Sequence, residues 1–172
     1  MLRGIGTVLI LGASLWFAAY FAAKERYRLQ EWEELERGLL LLQSQISYLS
    51  APLADGLESI SRKLNGSVGE VFAAVGERMT ARDGVSAEEI WSEVWLGQAR
   101  HLFFTGKDLE EILIFGRTLG YLDRTQQENS IRLFLREIAL HLEQGRKRLE
   151  KNGKLYYGIG GFSGLLLVVT LL

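Results

Sequence analysis

The stretch that decides the fold is 115–131: Phe115-Gly116-Arg117-Thr118-Leu119-Gly120-Tyr121-Leu122-Asp123-Arg124-Thr125-Gln126-Gln127-Glu128-Asn129-Ser130-Ile131. It reads as a joint between two helices. A helix through Ile112 and Phe115 closes at Gly120, which takes the left-handed conformation without a Cβ clash. Tyr121 and Leu122 carry the turn. Asp123 then opens a new helix as N-cap, and Gln126, three residues on, bonds back in a capping box.

Moving outward, the same grammar repeats. Upstream, a first helix spans about 28–50, with Trp32, Leu35, Leu39, Leu42, Ile46 and Leu49 on one stripe at three- and four-residue spacing. Glu31, Glu33, Glu34, Glu36 and Arg37 fall mostly off that stripe and read as a solvated face. Pro52 starts a second helix through Leu53, Leu57, Ile60 and Leu64, which Asn65-Gly66 ends. Ser67 with Glu70 forms a capping box for a third helix through Val71, Phe72, Val75 and Met79. After the Asp83-Gly84 turn, Ser86 with Glu89 opens a fourth through Ile90, Trp91, Val94 and Trp95 to about Leu102. Thr105 caps a fifth, through Leu109, Ile112, Leu113 and Leu119. The sixth follows the joint, from Arg124 to about Asn152. No alternation of strand period competes. The expected fold is all-α: an antiparallel six-helix bundle flanked by N- and C-terminal transmembrane helices.

The flanking spans come from the ends of the chain. Residues 4–23 carry no charge and match the roughly 20 residues a helix needs to cross a hydrocarbon core. Trp16 and Tyr20 suit the interface. A cleaved signal peptide is the competing reading of this segment. Residues 155–172 are also uncharged, at the short end for a span. Gly160 and Gly164, like Ser14, Ala18 and Ala22, have the small-residue spacing that lets helices approach in lipid; glycines tolerated on a lipid-facing surface would look the same. Three segments follow: a transmembrane helix at 4–23, a cytoplasmic helical domain at 24–154 and a transmembrane helix at 155–172.

Charge supports this division. The chain has 20 basic and 21 acidic residues. Lys24, Arg26, Arg28, Arg146, Lys147, Arg148, Lys151 and Lys154 face only Glu25 and Glu150 at the two ends of the domain, while 29–145 is net acidic. The positive-inside rule then places 24–154 in the cytoplasm and both termini outside, with the basic rim against lipid headgroups.

Catalytic equipment is not apparent. There is no Cys, hence no thiolate chemistry. His101 and His141 are the only two histidines, and neither lies in a metal-ligand spacing. Neighbouring acids such as Glu33-Glu34 and Glu110-Glu111 point about 100° apart on a helix and do not converge. No phosphate-binding Gly-x-x-x-x-Gly-Lys-Ser/Thr sequence exists, so any ATP hydrolysis must come from a partner. No enzyme activity, cofactor, metal, nucleic acid or small-molecule substrate is expected.

Two segments carry a family resemblance: the joint, Phe115-Gly116-Arg117-Thr118-Leu119-Gly120-x-x-Asp123-x-x-x-Gln127-x-x-x-Ile131, and Leu39-x-x-Leu42-x-x-x-Ile46-x-Tyr48-x-x-x-Pro52-Leu53. With the two apolar ends, the chain resembles the stage III sporulation protein AB family of endospore-forming bacteria. Gln45 departs from it, since the family often has Glu there. The resemblance implies a component of the channel-like complex linking mother cell and forespore during engulfment, made in the mother cell and held in its membrane. It also implies kinship with cytoplasmic domains of type II secretion and archaellum platform proteins. The partners it implies are other channel subunits, including a secretion-type motor ATPase, beside membrane lipids. A membrane-anchored signal-relay or adaptor protein is the alternative. Arg117, Asp123 and Gln127 are the candidate partner-binding residues of the joint; for Asp123 a plain helix cap is the competing role.

Overall fold

In the computed structural model, backbone is described for residues 2–49, 53–81, 84–119 and 124–171, and side chains for Gly12, Trp16, 19–47, 53–81, 84–119 and 125–151. Among the described residues there are α-helices, short helical turns and no strand: α1 (Leu2–Ser44), a π turn at Gln45–Leu49, α2 (Leu53–Ser61), α3 (Gly66–Thr80), α4 (Ala87–Gln98), a 3-10 turn at Ala99–His101, α5 (Gly106–Gly116) and α6 (Arg124–Leu171). The chain forms two compact units, Met1–Tyr27 with Glu143–Leu172, and Arg28–Leu142. Among the described residues no helix is long and apolar enough to cross a membrane. Most side chains of 4–23, and all of those of 155–172, lie outside the described residues.

The Arg28–Leu142 unit is built on aromatic side chains. Trp32, Phe72, Trp91 and Trp95 are completely buried. Their rings form a connected chain. Phe72 meets Trp91 edge to face at 6.0 Å, and Trp91 meets Trp95 at 5.5 Å and Phe115 at 5.7 Å. Phe115 stacks on Phe134 at 4.7 Å. Phe104 sits between Trp95 at 6.0 Å and Trp32 at 4.9 Å, and Trp32 stacks on His141 at 4.6 Å. Each such pair adds about 0.5–1.5 kcal/mol beyond burial of its area. The chain of rings touches α1, α3, α4, α5, α6 and the loop before α5. The stripe expected on α1 is the one that is buried, from Trp32 to Ile46. Of the buried indoles, Trp91 donates to the Ile112 carbonyl at 2.9 Å, whereas Trp32 Nε1 and Trp95 Nε1 find no acceptor. Those two rings contribute by shape.

Helix ends follow the sequence in two places and depart from it in four, the first being α2, which ends at Ser61, short of Leu64. Ser86 and Glu89 form the capping box, as do Thr105 and Asp108. Helix α3, by contrast, starts at Gly66 with Asn65 as N-cap, and Ser67 lies inside it. Two constraints set this earlier start: Gly66 adopts φ +67°, a glycine conformation, and the Asn65 N–H donates to Glu34 of α1 at 3.4 Å. Helix α1 gives way to the π turn at Gln45, whose amide donates to Ser59 of α2 at 3.2 Å.

Helix α5 ends at Gly116, not at Gly120. A Cβ on Gly116 would overlap the Trp91 indole, closer than real Cβ atoms come to any neighbour. With the indole seated there and bonded to Ile112, the chain tightens. Arg117, Thr118 and Leu119 N–H groups donate to carbonyls three residues back instead of four. Gly120, Tyr121, Leu122 and Asp123 lie outside the described residues, so the cap expected at Asp123 does too; α6 begins at the next residue, Arg124.

Gly116→Ala is therefore expected to destabilise the chain by about 1–3 kcal/mol through overpacking. Gly97→Ala, with nothing within 4 Å of its Cβ position, is expected to stabilise α4 by up to about 1 kcal/mol. Denaturant unfolding of the two variants beside the parent checks both signs.

Candidate functional site

Two places in the Arg28–Leu142 unit concentrate chemistry. The first is a buried cluster where α1 meets α5. Asp108 is the N3 residue of α5, and its carboxylate accepts from the Thr105 N–H at 2.6 Å and hydroxyl at 2.8 Å. The same carboxylate accepts two bonds from the Arg28 guanidinium, each 2.6 Å, with side chains 11 % and 2 % exposed. This is the bidentate fork that planar guanidinium suits. Burial alone would raise the Asp108 carboxyl; the Arg28 and Thr105 bonds outweigh it and hold the group below its usual range.

Glu31 lies one turn along α1 and is 8 % exposed. It does not belong to a solvated face. Its carboxylate accepts from the Phe103 N–H at 2.7 Å. Burial pushes its pKa up to about 7; the Phe103 and Phe104 N–H groups oppose the shift, and the Asp108 charge adds to it. His141 of α6, stacked on Trp32, is paired with Glu111 of α5 at 2.5 Å. Helix α5 thus holds α1 through Asp108 and α6 through Glu111.

The second place is a groove of about 400 Å3 between α4 and α5, lined by Leu96, Leu109, Leu113, Ile114, Gly106, Glu110 and Arg117. Leu96 and Ile114 are 56 % and 51 % exposed. Arg117, one of the lining residues, forms a loose, exposed ion pair with Glu88 at 3.8 Å.

The residues singled out from sequence fall in different settings. Arg117 lines the groove. Gln127 is half-buried on α6, and Asp123 lies outside the described residues. Lys24, Arg26, Arg146, Lys147, Arg148 and Lys151 are exposed, and the side chain of Lys154 is not described. All seven belong to the Met1–Tyr27 and Glu143–Leu172 unit. Lys147 pairs with Glu143 one turn back at 2.6 Å. Arg28 differs: it is the first residue of the other unit and is committed to Asp108. Sequence reading missed Asp108 and Glu31. The Thr105-x-x-Asp108 spacing was a usable cue for the cap; the 80-residue separation of Arg28 and Asp108 left none for the ion pair. Among the described residues no group of three or more acids and histidines could hold a metal ion.

The described residues of the Arg28–Leu142 unit thus combine helices with an aromatic core, a structural ion pair and an open apolar groove. Comparison with known proteins gives the chain a family. The model of the stage III sporulation protein AB family matches residues 3–172, and the chain belongs to that family. It is 27 % identical to the stage III sporulation protein AB of Bacillus subtilis (strain 168) over 172 residues, all of both chains. It also resembles a solved structure of stage III sporulation protein AB, with 26 % identity and a TM-score of 0.63 over 74 % of this chain and 96 % of the other.

The two buried acids give opposite pH dependences. Asp108, whose pKa is lowered by folding, contributes stability that is present above the unfolded carboxylate range and lost as pH falls. Glu31, whose pKa is raised, contributes stability at low pH that is lost between about 4.5 and about 7. Glu31→Gln keeps an acceptor for Phe103 without the charge. It is expected to stabilise the chain by about 2 kcal/mol at pH 8 and to change little at pH 4.5. Asp108→Asn leaves a buried guanidinium without its carboxylate and is expected to cost about 3 kcal/mol at neutral pH. Thermal unfolding across pH 4.5–8 tests both variants.

Proposed function

We propose that the chain is a non-enzymatic membrane platform subunit of the sporulation channel complex between mother cell and forespore, and that it docks a secretion-type motor ATPase. In this reading Arg28–Leu142 is an antiparallel helical bundle in the mother-cell cytoplasm, and 4–23 and 155–172 anchor it in the membrane facing the forespore. Family membership supports the sporulation role. The observation that carries the platform reading is the segregation of seven basic residues, Lys24, Arg26, Arg146, Lys147, Arg148, Lys151 and Lys154, into the unit that holds both chain ends. Beside an anionic leaflet each cation adds about 1 kcal/mol of attraction. Exposed Trp16 and Tyr20 on α1 have the amphipathic rings that favour a lipid–water interface. The groove that Arg117 lines offers a partner an apolar seat on the acidic part of the chain.

A reporter fused after Leu172 is expected to be active outside the cytoplasm; a cytoplasmic signal there contradicts the topology. Pull-down from sporulating membranes is expected to recover the sporulation ATPase together with the chain, and its consistent absence contradicts the docking role.

A further inference from the structure

Helix α5 has two apolar stripes. Ile112, Phe115, Gly116 and Leu119, in α5 and the turn after it, face the core. Gly106, Leu109, Glu110, Leu113, Ile114 and Arg117 recur at three- and four-residue spacing along the groove, over about 16 Å. The second stripe has the pattern with which a helix packs on another helix, and α4 covers only one side of it.

The outer face of α6 has a matching pattern. Ile131, Phe134, Ile138 and Leu142 are buried, while Leu133 and Leu140, two turns apart, are 60 % and 56 % exposed. They form an apolar line on the opposite side of the helix, flanked by exposed Arg136 and Glu137. Aligned exposed leucines give a helix face an apolar strip that a partner helix can cover. Arg117 of the groove lining pairs with Glu88, so each surface has one cation and one carboxylate next to apolar side chains.

We propose that the groove receives a second copy of this chain, through the Leu133–Leu140 face of its α6. The direction of the contact rests on the shared membrane proposed above. Within one chain α5 and α6 run antiparallel: Glu111 meets His141, and Phe115 meets Phe134. A neighbour anchored in the same membrane therefore lays its α6 antiparallel to this α5. Its Leu140 then falls against Leu109 and Leu113, and its Leu133 falls beside Ile114 and the Arg117 stem. Arg117 exchanges Glu88 for the neighbour's Glu137, and the neighbour's Arg136 meets Glu88. Groove and α6 face are different surfaces of one molecule, so the contact is head to tail and adds copies until a ring closes or a filament grows.

The chain contains no cysteine, so introduced thiols are unambiguous. Full-length Leu109→Cys and Leu140→Cys chains, mixed in membranes and mildly oxidised, are expected to form a cross-linked dimer that neither forms alone. Arg117→Glu in the first chain is expected to reduce the product about tenfold, and Glu137→Arg in the second to restore it. Both charges are exposed, so the folded chain is retained. Absence of the mixed dimer overturns the proposal, as does capture of Leu109→Cys by a different protein. Preference for Leu133→Cys over Leu140→Cys overturns the antiparallel direction. The reporter after Leu172 separately reads whether the membrane topology has failed.

Discussion

The Arg28–Leu142 unit depends on one missing side chain. Because position 116 has no Cβ, the Trp91 indole lies flat on the end of α5 and donates to the Ile112 carbonyl. Trp91 is also the branching ring of the aromatic chain, in contact with Phe72, Trp95 and Phe115. Lift it by one methyl and three contacts in different helices shift together. Protein interiors are too tightly packed to absorb such a shift locally. The early end of α5 and the tightened turn at 117–119 are consequences of that ring's position.

Around this apolar frame the described residues include two buried carboxylates, and both have partners. Asp108 serves as helix cap and as counter-ion to Arg28. Glu31 takes the N–H of Phe103 in the loop that brings Phe104 between Trp32 and Trp95. The two carboxylates sit close enough for the Asp108 charge to oppose ionisation of Glu31. Only one of them has a guanidinium to offset its burial. The result is one carboxyl held below its usual range and one that holds its proton to near neutrality, set by which has the cation.

Much of this architecture was legible in the sequence because it is local. Helical stripes, the Ser86 box and the Thr105 cap follow from spacing within one or two turns, and the buried residues of α1 are the ones periodicity selects. What was not legible depends on a partner far along the chain. Glu31 is off the α1 stripe, and only the loop at 103 makes it an interior residue. Arg28 reads as one more cation in a basic rim until Asp108, eighty residues away, is placed beside it. The end of α5 was misjudged for the same reason: Gly120 is the better local stop, and Trp91 imposes an earlier one. Of the residues in the joint, Arg117, a candidate for partner binding, lines a groove that could not be read from sequence, because it needs α4 to supply Leu96.

The ties at Asp108 and Glu111 have a mechanical meaning. Arg28 is where α1 enters the Arg28–Leu142 unit, and His141 is next to the residue where α6 leaves it. Both are fastened to the same short helix, by acids three residues apart. A load entering the unit along α1 or α6 is therefore shared by α5, beside the stack of His141 on Trp32. Helix α5 also forms a wall of the open groove, so such a load and occupancy of the groove act on the same eleven residues.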